Sequence, residues 1–229
     1  MMTRRAFLGT ASTLALAGCT IPARPPDGSQ AFGTTRPNAM PAFYGPVPDE
    51  QFPLPAVPAG VVASKYWRQQ VANPFPQYAP GTVIVDPQNF YLHLVEEDGR
   101  AMRYGIGVGR QGFAWSGDAV IQYKRKWPRW KAPDDMVRRQ PELEPYSVAN
   151  GGMDPGLMNP LGARALYLFQ NGRDTLYRIH GNPEANSIGR SVSSGCIRLL
   201  NHDIIHLHDR VPNQSRVIVL QANRPAVLS

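Results

Sequence analysis

The residues with the clearest chemical potential are one cysteine and one histidine, sixteen positions apart. Cys196 lies in the stretch SVSSGCIRLLN, between small residues and a short apolar run, and His180 ends the stretch YRIH. Small neighbours are more typical of a thiol that a reactant must reach than of an inert core thiol. The thiolate is the nucleophile, and an imidazole within reach can take the thiol proton. The pair predicts thiol acyl transfer, with the backbone N–H groups of Gly195 and Cys196 as a candidate oxyanion hole.

The amino terminus predicts that this thiol works outside the cytoplasm. The first residues, MMTRRAFLGTASTLALAGCT, combine a basic start with an apolar stretch too short to span a bilayer. TRRAFLG resembles the twin-arginine export pattern, and LAGC resembles the lipobox of bacterial lipoproteins, so we expect Cys19 to be lipidated. Thr20 stands where aspartate would favour inner-membrane retention. We therefore expect a periplasmic protein of a bacterium, anchored by lipid, in the outer membrane rather than the inner.

Lipidation of Cys19 would leave Cys196 as a free thiol. The sequence contains only these two cysteines, although the expected compartment favours disulfides. Removal of residues 1–18 takes away two arginines and no acids, which leaves 22 basic against 17 acidic residues and a formal charge of +5. Such a charge suits a carboxylate-rich polymer or an anionic membrane surface and does not choose between them.

Composition divides the chain into three parts. Residues 1–18 are interpreted as the export and lipoprotein signal peptide. Residues 19–62 begin at the lipidated cysteine and are rich in proline, with ten prolines between positions 20 and 60. Since they show little periodic apolar pattern, they predict an unpacked tether. Residues 63–229 are predicted to form one catalytic domain.

Alternating patterns in this third part predict a mainly β fold of the β-rich α+β class. The turn signals DPQN and EEDGR separate the strands of a meander, NGRD marks a second hairpin, and SRVIVLQ predicts a last strand. Ile204, Leu207 and Val211 have helical spacing, with Asn201 as a candidate N-cap. A second, short helix is expected near PDDMVRRQ. Residues 110–162, rich in glycine, proline and aromatics, predict a long excursion over the active site.

The segment IHGNPEANSIGRSVSSGCIRLLNHDIIHLHDRV resembles the signature of the L,D-transpeptidase family, which has a YkuD-type catalytic domain. In that family a His-Gly pair is followed by a Ser-x-Gly-Cys-x-Arg turn, and the resemblance here covers roughly residues 66–222. It implies a β-sandwich or meander domain that acts on peptidoglycan stem peptides in cell wall biogenesis and cell shape. It requires no metal and no organic cofactor.

The resemblance also implies the reaction. Cys196 would attack the carbonyl of the diamino acid at the third stem position, expel the terminal D-alanine and hold the stem as a thioester. An amine would then resolve the thioester, and His180 would act as base in both steps. Gly181 would orient the imidazole through its backbone.

The rest of the motif turn contains Ser193, Gly195 and Arg198. The resemblance implies that Arg198 holds this turn or contacts a substrate carboxylate. Many members have a histidine at the position of Ser194, so this sequence has SSGC in place of SHGC. The proton transfers are therefore assigned to His180.

Alternatives to transpeptidation stay open. With water as acceptor the enzyme would be an L,D-carboxypeptidase, with a stem amine a cross-linker, and with an outer-membrane protein N-terminus a tethering enzyme. A non-catalytic, lipid-anchored protein that binds the wall would need no reactive thiol. HDIIH imitates a zinc motif through His202, Asp203 and His206, with His208 the nearest further ligand, and a zinc peptidase of the wall is the rival. We prefer to interpret these residues as exposed histidines on a packed helix.

The stretch YKRKWPRWK would suggest binding of single-stranded nucleic acid in a cytoplasmic protein. An exported chain meets little nucleic acid, so no such partner is expected. We interpret Trp127 and Trp130 as packing residues. The basic residues are interpreted as solvated or as facing stem-peptide carboxylates: Lys124, Arg125, Lys126, Arg129 and Lys131.

Overall fold

The structure is a computed structural model that describes residues 39–109, 115–193 and 196–222. Within these ranges it has eleven strands and two α-helices. The strands are β1 (Gln69–Ala72), β2 (Val83–Asp86), β3 (Tyr91–Val95), β4 (Arg100–Gly105), β5 (Gly107–Gly109), β6 (Gly117–Lys126), β7 (Arg164–Gln170), β8 (Arg173–His180), β9 (Ser191–Ser193), β10 (Ile197–Arg198) and β11 (Arg216–Val219). The helices are α1 (Asp134–Arg139) and α2 (Asn201–Arg210). The mainly β class and both predicted helices are confirmed. None of the described helices is long and apolar enough to span a membrane.

Hydrogen bonds join the described strands into one sheet with the order β1-β4-β3-β2-β11-β6-β7-β8-β10-β5-β9. The predicted meander β2–β3–β4 and the hairpin β7–β8 are confirmed. Strand β11 joins them, since it pairs parallel with β2 and antiparallel with β6. In the hairpin turn Asn171 and Gly172 both have positive φ, 51° and 74°, as the twist of a two-residue turn requires.

Strand β6 shows that the prediction of one excursion over residues 110–162 was wrong. The strand ends in the basic run Lys124–Lys126, and only Ala119 and Ile121 are buried. That alternation is too weak to identify a strand from sequence. Its backbone N–H and C=O groups are hydrogen-bonded because β11 and β7 pair with its two edges. The segment that follows, residues 127–163, is called the cover below.

Helix α2 packs against β7 and β8 through its apolar face. Ile204 and Leu207 are fully buried, and Val211 just after the helix is nearly so, in the same core as strand residues such as Leu166 and Ile179. The prediction that Asn201 caps the helix was wrong, because Leu200 occupies the N-cap position and no side chain caps it. The Asn201 side chain instead accepts a hydrogen bond from the Ala163 N–H at 2.9 Å.

Residues 39–62, called the strap below, pack on the domain, and the prediction of an unpacked tether does not hold for them. Tyr44, Val57 and Val62 are buried in one cluster with Ile188 and Leu200. Although the prolines remove backbone donors, buried side chains between them supply the apolar contact that the composition did not predict. Residues 1–38 lie outside the described residues, so the signal peptide and the first part of the tether remain predictions.

The strap also supplies a buried charge. The Glu50 carboxylate accepts two hydrogen bonds from Arg164, at 2.9 and 2.5 Å, and one from the Trp127 indole at 2.8 Å. The Arg164 side chain is only 3% exposed. Burial alone would raise the pKa of Glu50, but the hydrogen bonds from Arg164 and Trp127 hold it below its ordinary value. The strap is therefore an electrostatic partner of β7 as well as an apolar one.

We expect Glu50→Gln to lower the free energy of unfolding by about 2–4 kcal/mol, because it leaves the buried Arg164 guanidinium without a counter-charge. Asp49→Asn is the matched control: Asp49 is the exposed neighbour in the strap, so its change should stay within about 0.5 kcal/mol. Denaturant unfolding of the two variants measures the difference. Equal, small losses would contradict a structural role for the strap carboxylate.

Candidate active site

Cys196 and His180 are brought together by the parallel pairing of β10 with β8. Ile197 lies opposite Ile179 and Arg198 lies opposite His180. Since Ile179 and Ile197 point into the core, the residues that alternate with them point to the other face of the sheet. Cys196 therefore lies at the position next to Arg178, one pair before His180. The sixteen-residue separation is closed by two strands of one sheet.

The buried imidazole of His180 is neutral and oriented. His180 is 4% exposed, and its Nδ1 is 2.6 Å from the Gly181 carbonyl oxygen. A carbonyl only accepts, so Nδ1 carries the hydrogen and Nε2 keeps its lone pair. Burial lowers the pKa of His180 to about 4, the charges of Arg198 and Arg178 act in the same direction, and hydrogen bonds to the Gly181 and Pro160 carbonyls oppose them. The ring is thus uncharged at neutral pH.

The thiol of Cys196 is half-buried and protonated at rest. Burial raises its pKa, while the Arg178 backbone N–H, which donates towards the sulfur, and the charges of Arg178 and Arg198 oppose the rise. The resting site therefore holds a neutral thiol and a neutral imidazole rather than a thiolate–imidazolium pair. The two guanidinium groups favour the thiolate whenever the proton leaves.

Glycine at position 181 is required by packing. A Cβ there would overlap the Asn201 side-chain oxygen, which is held by the Ala163 N–H. The Gly181 N–H in turn donates to the Arg164 carbonyl at 3.0 Å. The carbonyl that orients His180 is thereby tied to the beginning of α2 and to β7.

Arg198 connects the motif turn to the preceding loop. Its guanidinium lies 3.2 Å from Glu184 Oε2, and its side chain is 19% exposed. Ser193 ends β9, which pairs with β5. Ser194 and Gly195 lie outside the described residues, so the oxyanion hole predicted there remains a prediction.

A cavity of about 740 Å³ opens beside Cys196, between the cover and strands β7 and β8. Trp130, Met136 and Val148 of the cover line one side, and Tyr167 and Tyr177 line the other. Arg129, Lys131 and Arg139 also line it, against the single acid Asp135. An excess of positive charge around a partly apolar cleft suits a peptide that carries carboxylates.

Arg178 is a site residue that the sequence analysis missed. It pairs with Asp174 through two hydrogen bonds of 2.7 and 2.8 Å, and its guanidinium lies 4.4 Å from the Tyr167 ring centre. The signal available in the sequence was only its position two residues before His180, since alternate residues of a strand share a face. Its charge next to a thiol depends on the register of β10, which sequence spacing does not specify.

The helix histidines of HDIIH do not form a metal site. His202 Nε2 is 2.8 Å from the Gly45 carbonyl oxygen, and His206 Nδ1 is 2.8 Å from the Tyr104 hydroxyl. Asp203 is fully buried, accepts a hydrogen bond from Tyr44 and lies 3.6 Å from Arg68. Across the described ranges, no three His, Cys, Asp or Glu side chains are grouped so as to hold a metal ion. The interpretation of exposed histidines was also wrong, because His202 and His208 are buried.

The basic stretch at the end of β6 and the start of the cover has mixed roles. Lys124 is only partly exposed, and its Nζ donates to the carbonyls of His208 and Val211 at the end of α2, at 2.6 Å each. Trp127 is buried, as predicted, whereas Trp130 faces the cavity. Arg129 pairs with Asp154 and lines the cavity together with Lys131.

Comparison with known proteins identifies one family. A family model described as the L,D-transpeptidase catalytic domain, YkuD, matches residues 80–219. The probable L,D-transpeptidase ErfK/SrfK of Escherichia coli K12 is 32% identical over 214 residues, which cover 86% of this chain and 66% of that protein. The putative L,D-transpeptidase YkuD of Bacillus licheniformis is 39% identical over 144 residues, which cover 63% of this chain and 68% of that protein.

A crystal structure from Brucella melitensis, described as a probable carnitine operon oxidoreductase caia, is 44% identical, with a TM-score of 0.48. It matches 69% of this chain and 96% of that chain. The chain spans between 35% and 68% of the length of the curated relatives that it matches.

We expect alkylation of Cys196 by iodoacetamide to accelerate with pH up to a midpoint above the value of about 8.5 for a free cysteine, because burial disfavours the thiolate. Cys19→Ser leaves Cys196 as the sole thiol for this measurement. Arg198→Gln removes a charge that favours the thiolate and should move the midpoint higher, whereas Arg173→Gln, at the far end of β8, should not. A midpoint below 8.5 in the folded protein would refute this description.

Proposed function

The chain belongs to the L,D-transpeptidase family that the YkuD catalytic domain defines, and we propose that it acts on peptidoglycan stem peptides as a cysteine acyltransferase. The donor is a tetrapeptide stem, from which the enzyme releases the terminal D-alanine and transfers the remaining acyl group to an amine. The observation that carries the proposal is the β8–β10 register, in which Arg198 pairs with His180 and Ile197 with Ile179, so that Cys196, one position earlier, lies at the cavity lined by β8 and the cover.

In the first step Nε2 of His180 takes the proton of the Cys196 thiol as the donor carbonyl arrives. The sulfur attacks the carbonyl carbon of the third-position diamino acid, and a C–S bond forms. The C–N bond to D-alanine then breaks, and the imidazolium returns its proton to the departing amine. The neutral ring, oriented by the Gly181 carbonyl, supports this role because one of its nitrogens is free of hydrogen.

In the second step an acceptor amine enters the site that D-alanine has left. His180 takes a proton from the amine, the nitrogen attacks the thioester carbonyl and a C–N bond forms, the C–S bond breaks, and the imidazolium then returns the proton to the leaving thiolate. The positive charges of Arg178 and Arg198 stabilise this leaving thiolate. The acceptor determines the product: a stem amine gives a cross-link, a protein N-terminus gives a tethered protein, and water gives a shortened stem.

We propose further that the protein is exported and held at a membrane by lipid on Cys19. The support is the order of basic start, short apolar stretch and LAGC in the sequence. The chain between Cys19 and the strap would separate the domain from the membrane. In cells given a clickable fatty acid, the full chain should be labelled and should fractionate with membranes, and Cys19→Ala should lose both properties. Labelling that survives in Cys19→Ala would refute this anchor.

We expect the full chain, with its strap, to convert purified tetrapeptide muropeptides into D-alanine and dimers that mass spectrometry detects. Cys196→Ala and His180→Ala should each lower turnover by about 10²- to 10⁴-fold, because nucleophile and base act as a unit. Ser194→Ala should lower it less. EDTA should leave the rate unchanged, in contrast to a zinc peptidase.

Tripeptides without dimers would identify water, or a protein acceptor absent from the reaction, as the second substrate. Near-wild-type turnover in His180→Ala would contradict the assignment of the base. If the wild-type protein gives neither product and no thioester mass on Cys196, the non-catalytic wall-binding alternative takes its place.

A further inference from the structure

Strand β8 carries a bulge just before its carboxyl end, where His180 lies. Tyr167 pairs with Arg178 and Phe169 pairs with Asp174, so one residue of β7 faces three residues of β8. The three are Thr175, Leu176 and Tyr177. A bulge re-aims the side chains that it carries, and bulges are common beside active sites.

Hydrogen bonds hold this bulge in one conformation. The Thr175 hydroxyl donates to the Leu168 carbonyl at 2.7 Å, and the Leu176 N–H donates to Asp174 Oδ1 at 2.8 Å. Asp174 is itself paired with Arg178 through two hydrogen bonds. Tyr177 stacks on Trp115 with the ring centres 5.1 Å apart. The conformation of the bulge is therefore fixed by specific contacts.

Leu176, in the middle of the bulge, has an unfavourable conformation and an unfavourable environment. Its φ is +64°, in the left-handed region, where a bulky side chain is strained. The residue is also 76% exposed to solvent. Glycine or asparagine would tolerate this backbone better, and a polar residue would tolerate this exposure better. Strain of this kind is typical of sites where a side chain contacts a ligand.

The side chain of Leu176 lines the cavity that also contains Cys196. The cover contributes Val148, which is 54% exposed, and Met136 to the lining of the same cavity. Tyr177, the next residue in the bulge, is near enough to Cys196 for the thiol to affect the pKa of its phenol. Leu176 and Val148 therefore offer two apolar surfaces to whatever is attached to the sulfur.

We propose that Leu176 is a specificity-determining residue that packs against the methylene chain of the residue acylated on Cys196. The identity of that chain, the side chain of a diamino acid, rests on the proposed function. An unbranched aliphatic chain is the part of such a donor that gains from an apolar contact, and the contact grows with each methylene group that leaves water. Leu176 thus selects long side chains at the third stem position.

The test measures how fast Cys196 forms its thioester with donor peptides whose third residue is lysine, ornithine or diaminobutyrate. In the wild-type protein the rate should fall about fourfold for each methylene removed, the equivalent of about 0.8 kcal/mol. In Leu176→Asn and Leu176→Gly this dependence should shrink below twofold, through KM rather than kcat. Met158→Asn, which changes a 78% exposed residue outside the cavity lining, is the control and should keep the fourfold dependence.

Thermal unfolding separates this role from a structural one. Since asparagine and glycine both tolerate the left-handed backbone, neither variant should unfold at a lower temperature than the wild-type protein. Unchanged chain-length dependence in both variants would overturn the proposal. The proposal would also be overturned if both variants had lower melting temperatures and regained the wild-type chain-length dependence when assayed well below those temperatures.

A second series is independent of the proposed function. Alkylation of Cys196 by N-alkylmaleimides, from methyl to hexyl, is measured with Cys19→Ser in every protein. The wild-type rate should rise with alkyl length, and Leu176→Asn should lose that rise. If the wild-type protein acts on no stem peptide but shows this dependence, the proposed function fails and the apolar contact of Leu176 stands. If Leu176→Asn keeps the dependence, the contact is refuted whatever the enzyme does.

Discussion

The parallel pairing of β10 with β8 is the constraint on which the site depends. Strand β10 has only two residues, and a shift of register by one would turn Cys196 towards the core and Ile197 towards the cavity. Two contacts protect the register: β5 pairs with the other edge of β10, and the Leu199 N–H donates to the His180 carbonyl at 2.8 Å. The apolar side chains of Ile179 and Ile197 provide the driving force, because only one register buries both.

Burial then determines the electrostatics of the site. A low pKa for His180 and a raised pKa for Cys196 have the same largest cause, the loss of water around each group. The strap contributes at a distance, since Glu50 neutralises Arg164, whose carbonyl accepts the Gly181 N–H beside the catalytic ring. The proline-rich segment is thus part of the scaffold that holds the base, as well as the chain that leads to the proposed anchor.

The cavity combines positive charge with apolar surface, the two properties that suit the proposed stem-peptide donor. Lys131 and Arg139 offer positive charge along the cover, while Leu176 and Val148 offer apolar surface near the thiol. The bulge in β8 links these features to the catalytic strand, because its ends are the ladder pairs at Asp174 and Arg178. The proposed selection of the donor and the proposed activation of the nucleophile therefore involve the same eight-residue strand.

Local patterns in the sequence were sufficient for the meander, the β7–β8 hairpin, the apolar face of α2 and the candidacy of Cys196 and His180, because each depends on periodicity, turn chemistry or residue type within a short window. Tertiary structure alone decided the rest. Strand β6 forms because β11 and β7 hydrogen-bond to its two edges. The strap packs on the domain because Glu50 binds Arg164 and its apolar side chains contact the core. The Asn201 side chain accepts a hydrogen bond from Ala163 instead of capping the helix. Likewise Arg178 and Leu176 belong to the site only through register and a bulge. Contacts between segments that are distant in the chain leave no periodic pattern in the sequence. The roles of these residues therefore became apparent only from the three-dimensional positions of their contact partners.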